Sequence, residues 1–298
     1  MIKKFMIAII AGISIFGVSC GAGSSSSDTV ADATEEKEEL RIASGTVAAT
    51  QVMNELGIDL VGVPQTSTEL PERYKGLTEI GQAFSPNFEV IVSLESDLLV
   101  LDNNFQEKLD SQVKEYGIDA FYFNTSTFTN FKQSITELGK ITDKEEEAKG
   151  LVDKLQESVD AVLEKGEKAK EDIKVAIVFG TAESYMLATD KSYVGDLLDT
   201  IGVNNITDDL SVDSAYVDFS MEQVVDMNPD YVLRLAHGDI EASKEAFEKE
   251  FAENPAWQSL DATNEGKVYD LDPSIFGVSA NLSVKDAIKG LGNILYGE

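Results

Sequence analysis

One short pattern occurs twice in this chain and does more than any other feature to limit the fold. Glu89-x-Ile91-Val92-x-Leu94-x-x-Asp97-Leu98-Leu99-Val100 is matched by Glu222-x-Val224-Val225-x-Met227-x-x-Asp230-Tyr231-Val232-Leu233, each residue lying 133 positions after its counterpart. Each copy reads as a short helix that begins with a glutamate and leads into an apolar run of strand length. A repeat of this kind argues for two related halves rather than one enlarged core. In the first half, strands are expected at 40–43, 58–63, 98–101 and 120–123, with helices at 47–56, 89–94 and 105–116. The second half starts again with a strand at 175–179, helices at 193–201 and 221–227, and a strand at 231–235. Alternating strands and helices predict α/β architecture around largely parallel sheets.

Between the halves, Leu151, Val152, Leu155, Val159, Val162 and Leu163 fall on one face of a helix expected over about 143–170. Glu145, Glu146 and Glu147 suit its first turn, where the helix dipole favours acids, and Gly166 predicts fraying near its end. The length of this helix makes it a rigid spacer between an N-terminal lobe, 40–142, and a C-terminal lobe, 171–298. A chain of 298 residues is long enough for two such units.

The start of the chain reads differently. Lys3 and Lys4 precede an apolar run from Phe5 to Val18, too short for a comfortable transmembrane helix and suited to a secretory signal. The run ends Gly17-Val18-Ser19-Cys20 and contains the only cysteine of the protein. This resembles a bacterial lipobox, with Gly17 in place of the usual large aliphatic residue. Residues 1–19 are then a lipoprotein signal, Cys20 carries the lipid, and the Gly/Ser run and acidic spacer to residue 39 form a structureless tether.

The 54 acidic against 24 basic residues give a formal charge of −30, a field that repels nucleic acid and anionic headgroups. A single cysteine rules out an internal disulfide framework, and a single histidine rules out metal sites built on several imidazoles. No phosphate-binding glycine loop or Gly-x-Ser-x-Gly elbow is present. His237 closes the run Arg234-Leu235-Ala236-His237-Gly238 just past a strand, at the end where open α/β sheets bind ligands. A lone imidazole suits an axial position on haem iron, and equally a satisfied surface or core residue.

Several runs taken together carry a resemblance. They are Thr46-Val47-Ala48-Ala49-Thr50, Leu60-Val61-Gly62-Val63-Pro64, Leu70-Pro71-Glu72-Arg73-Tyr74-Lys75-Gly76-Leu77, Gly81 to Pro86, Ser184-Tyr185, Tyr193-Val194-Gly195-Asp196-Leu197, Arg234 to Gly238 and Val268-Tyr269-Asp270-Leu271. Over residues 40–298 the chain resembles the substrate-binding proteins of ABC importers for siderophores, haem and cobalamin. Within that class it is similar to the haem-binding lipoproteins of the Gram-positive iron-regulated surface determinant systems.

The resemblance implies two Rossmann-like lobes joined by one long helix (the class III architecture), haem in the cleft as transported ligand, and no catalysis. It places His237 on the iron. The family's second ligand, a methionine in Gly-Asn-Pro-Met-Ser-Pro, falls on Gly81-Gln82-Ala83-Phe84-Ser85-Pro86, so Phe84 stands where the thioether would be. Gly45, Thr46, Val47 and Ala48 would offer main-chain N–H groups to the haem propionates. Tyr185, Met186 and Phe276 would wall the second lobe's side of the cleft. Glu89 and Glu222 would each dock one lobe onto the permease dimer. The expected setting is the outer face of the cell membrane, held at Cys20, with the protein acting as a monomer. A ferric-siderophore or corrinoid receptor of the same class is the nearest alternative, though three arginines are few for an anionic siderophore. From another class, a lipid-anchored hydrolase would need two facing carboxylates, one with a raised pKa.

Overall fold

The computed structural model describes residues 40–169 and 172–297; the leader, Cys20 and the tether lie outside the described residues. Residues 39–298 cluster as one compact unit. The first half contains β1 (Ile42–Ser44), α1 (Val47–Glu55), β2 (Gly62–Val63), β3 (Thr78–Glu79), a hairpin of β4 (Gly81–Gln82) and β5 (Ser85–Pro86), α2 (Phe88–Ser93), β6 (Leu98–Asp102), α3 (Gln106–Tyr116), β7 (Ala120–Phe123) and α4 (Phe128–Ile141). The long helix α5 (Glu145–Ala169) follows. The second half contains β8 (Lys174–Gly180), β9 (Tyr185–Ala188), α6 (Tyr193–Thr200), β10 (Asn204–Asn205), β11 (Tyr216–Val217), α7 (Met221–Met227), β12 (Tyr231–Ala236), α8 (Ile240–Glu253), the single turns α9 (Pro255–Gln258) and α10 (Asp261–Asn264), β13 (Val268–Asp270) and α11 (Val284–Tyr296).

The first sheet runs β3-β2-β1-β6-β7 with every pair parallel. Its central strands are apolar without alternation because both faces are covered. Leu98 and Val100 enter one core cluster, and Leu99 and Leu101 another. The second sheet runs β11-β9-β8-β12-β13, with β10 against the start of β8. Here β8 and β12 are parallel, whereas β9 turns back antiparallel to β8. Of the expected strand 58–63, only Gly62–Val63 pairs; the side chains of Ile58 and Leu60 nonetheless enter the core.

The expected long helix is α5, and Leu155, Val159 and Val162 on its apolar face are buried. It is a packed spine rather than a bare spacer. α4 lies against it at Gly139, where a Cβ would stand 2.5 Å from the Ala148 methyl, and α11 lies against it at Gly292, beside Val162. Gly166 makes room for the Tyr296 ring of α11, whose hydroxyl would sit 2.9 Å from a Cβ there. α4 and α11 were missed in the sequence although both carry an apolar face, Phe128, Phe131, Ile135 and Leu138 in α4 and Ile288, Leu291 and Leu295 in α11. One core cluster takes in Ile42 and Val100 of the first sheet, Leu155 and Val159 of α5, and Val175 and Ile177 of the second sheet. The halves therefore share an apolar base.

Candidate ligand-binding site

In both sheets the strand order reverses beside the first strand: between β1 and β6, and between β8 and β12. Open α/β sheets bind ligands in the crevice at the C-terminal ends of such strands. Gly45–Ala48 and His237 occupy those two places.

At the first, β1 runs into α1 through Gly45 and Thr46. The Gly45 N–H donates to the Val100 carbonyl at 2.8 Å, so it completes the sheet and is not available to a ligand. A Cβ at Gly45 would crowd Leu101 Cδ2 at 3.0 Å and the Val100 carbonyl at 3.3 Å. Thr46 occupies the N-cap position, but its side chain does not cap. Its carbonyl instead accepts from the Ser44 and Thr50 hydroxyls. Among the described residues no side chain satisfies the first N–H groups of α1, which leaves those of Val47 and Ala48 for an anion. Phe84 occupies the turn between β4 and β5, 48% exposed, with its ring edge-on to Phe105 at 6.3 Å and the Lys108 ammonium 5.3 Å above it.

At the second, the His237 N–H donates to the Gly180 carbonyl at 2.9 Å, extending the β8–β12 ladder one residue past the strand. Its carbonyl accepts from the buried Ser243 hydroxyl at 2.8 Å. The backbone is thus pinned on both sides while the side chain is exposed. The imidazole lies 5.3 Å from the Phe179 ring, which lies 4.2 Å from Tyr216. Burial pushes the Tyr216 phenol up to about 12, so it is neutral at physiological pH. Phe179 sits directly across from Met186 in the β8–β9 pair, on the same face. Phe179 and Tyr216 were not picked out from the sequence; an aromatic closing β8 was the available signal.

Two of the expected wall residues do not join this group. Tyr185 precedes Met186 on one strand, so the two point to opposite faces. Its ring stacks on Phe247 of α8 at 5.2 Å. Phe276 is a core residue, 4% exposed, packed where Gly290 of α11 leaves space. Arg234, which opens the Arg-Leu-Ala-His-Gly run, is structural. Its guanidinium makes a two-pronged pair with Asp270 on the neighbouring strand and lies over Phe251 at 5.1 Å.

The halves touch near these ends. The Asp196 carboxylate of α6 accepts from the Thr129 N–H in the first turn of α4 at 3.1 Å, and the Ala280 N–H donates to Thr125 at 2.7 Å. Burial pushes the Asp196 carboxyl up, opposed by its hydrogen bonds at the α4 N-terminus. Among the described residues no cluster of three or more metal-binding side chains occurs.

Two α/β halves on a helical spine, each with a reversal point at its strand ends, define a substrate-binding protein of the importer-associated kind. The chain belongs to the periplasmic binding protein family, whose model matches residues 42–275. It is 32% identical over 296 residues to the high-affinity heme uptake system protein IsdE of Staphylococcus aureus, covering 99% of this chain and 98% of that protein. The structure of S. aureus IsdE complexed with heme superposes with a TM-score of 0.73 at 34% identity, covering 87% of this chain and 99% of that one. An ABC transporter substrate-binding protein from Listeria monocytogenes EGD-e superposes with a TM-score of 0.79 at 32% identity, covering 88% and 100%.

Proposed function

We propose that this protein binds haem between its two lobes, 40–142 and 171–298, and hands it to an ABC permease without catalysing a reaction. The observation that carries this reading is the exposed imidazole of His237, fixed by its backbone at the β8–β12 reversal point beside an aromatic floor. An axial nitrogen and a flat apolar surface are what a metalloporphyrin needs. The haem relative and its structure support the same ligand. Val47 and Ala48 would receive the propionates at the α1 N-terminus. Phe84 can stack on the macrocycle but cannot ligate iron, so ferric iron here is five-coordinate or holds water and is high-spin. Glu89 and Glu222 stand in the first turns of equivalent helices, are exposed, and would dock the lobes on a permease dimer. Cys20 would carry the lipid that holds the monomer at the outer face of the membrane.

Titration with haemin tests the reading. The wild type should give a saturable Soret shift with a high-spin spectrum. His237→Ala should remove most of that shift, and Phe84→Met should move the iron toward low-spin. An unchanged spectrum in His237→Ala would overturn the assignment.

A further inference from the structure

A histidine that binds metal ordinarily donates its second ring N–H to a carboxylate, carbonyl or water, which fixes the ring plane and raises its basicity. His237 departs from this. Among the described residues neither ring nitrogen makes a hydrogen bond, although both of its main-chain polar groups are engaged. What meets the ring is Phe179, tilted 35° to it at 5.3 Å. Phe179 is itself 7% exposed and held in register between Met186 and Leu235 on either side. Tyr216 backs it from β11 at 4.2 Å and 33°.

We infer that Phe179, backed by Tyr216, is the positioning residue for His237, setting the imidazole plane by ring packing instead of a hydrogen bond. The inference rests on the reading of His237 as the iron ligand. Its consequence is an axial bond that is oriented but not strengthened. A ligand held this way is selected by geometry and released readily, which suits a protein that must give its cargo to a transporter.

The chain has one histidine, so its imidazole protons are a unique NMR probe that needs no haem. In the wild-type apo-protein the His237 Hε1 and Hδ2 signals should show NOEs to the Phe179 ring and a ring-current shift. Both should be lost in Phe179→Leu and weakened in Tyr216→Leu. Haemin transfer from either variant to excess apomyoglobin should be about two- to tenfold faster than from wild type, the range expected from losing one aromatic pair. Unshifted His237 signals and wild-type transfer in a folded Phe179→Leu protein would overturn the inference. If that variant does not fold, absence of the NOEs in wild type would overturn it instead. Failure of wild type to bind haemin would sink the functional reading while leaving the NMR result to decide the ring packing.

Discussion

The two copies of the repeated module share a backbone and differ in what they place at its ends. Asp97 and Asp230 play one part. Each accepts from the N–H that opens the neighbouring strand, Arg41 in the first copy at 2.9 Å and Lys174 in the second at 2.8 Å. Each also donates its own N–H to the carbonyl of that residue, at 2.8 Å in both. The strand registers coincide: Ile42 pairs with Leu98 as Val175 pairs with Tyr231. All of these positions are 133 residues apart.

Past the shared register the copies part. Positions 45–47 leave the first sheet and open α1, whereas their counterparts 178–180 stay in β8. Thr46 therefore lies at a helix N-terminus, and its counterpart Phe179 presents a ring on the sheet. After β6 the chain makes a 3₁₀ turn through Asn104; after β12 the position 133 residues on is His237. One scaffold thus yields main-chain donors on one side and an imidazole on an aromatic floor on the other. Complementary chemistry came from changing where the strands stop, with the framework kept.

The largest effect expected from treating the copies as equivalent concerns the glutamates in their first helical turns. Glu89 and Glu222 both follow a capped start, from Asn87 and from the reciprocal Ser220–Gln223 box. Left as helix-terminus acids they are worth about 0.3–1 kcal/mol each. As docking points for a two-fold-symmetric permease they would supply steering and register. Reversing both to Lys should abolish haem-dependent growth in cells carrying the importer while leaving haemin affinity of the purified protein unchanged. Each single reversal should be intermediate. Unimpaired growth of the double variant would leave only the dipole role, and lost haemin affinity would place the two glutamates in the pocket's support.

A smaller effect tests the shared junction. Asp97→Ala and Asp230→Ala each remove one acceptor at an exposed carboxylate, so each should cost about 1 kcal/mol in urea unfolding. Equal losses would support the equivalence drawn from the geometry. A clearly larger loss at Asp230 would show that the second half depends more on its central β8–β12 pair.

The repeat and the haem-ligand candidate were legible because each is a local signal. A glutamate, an apolar helix face, an aspartate and a strand recur in order, and one histidine closes a strand. The ends of the site were less legible. Nothing in Gly45-Thr46 shows that the Gly45 N–H belongs to Val100, because its partner lies on a strand 55 residues away. Tyr185 and Met186 read as neighbours on one wall, and only the strand period separates them. Phe276 reads like any aromatic near a strand end, and only the space at Gly290 shows that its ring turns inward. Tyr216 joins the site through an antiparallel pairing of β11 with β9 that no local pattern announces.

The smallest predicted effect concerns the link between helix and strand, where both copies place a residue in the left-handed region: Glu95 at φ 51° and Asn228 at φ 39°. Asparagine tolerates this conformation better than glutamate. The first copy offsets the poorer residue with Arg41, whose guanidinium donates to the carbonyls of Glu95 at 3.0 Å and Leu94 at 2.8 Å. The second holds Asn228 through its amide, bonded to the Asp261 carboxylate at 2.7 Å. Glu95→Gly relieves the strain without touching the carbonyls that Arg41 holds, and should stabilise the protein by about 0.5 kcal/mol or slightly more, net of the backbone freedom glycine adds to the unfolded chain. Asn228→Gly gains less conformationally and loses the Asp261 bond, so it should be neutral or destabilising. Paired urea midpoints check the contrast: a gain at Asn228 matching that at Glu95 would mean the two junctions carry the same strain, and the division of labour between Arg41 and the Asn228 amide would fall.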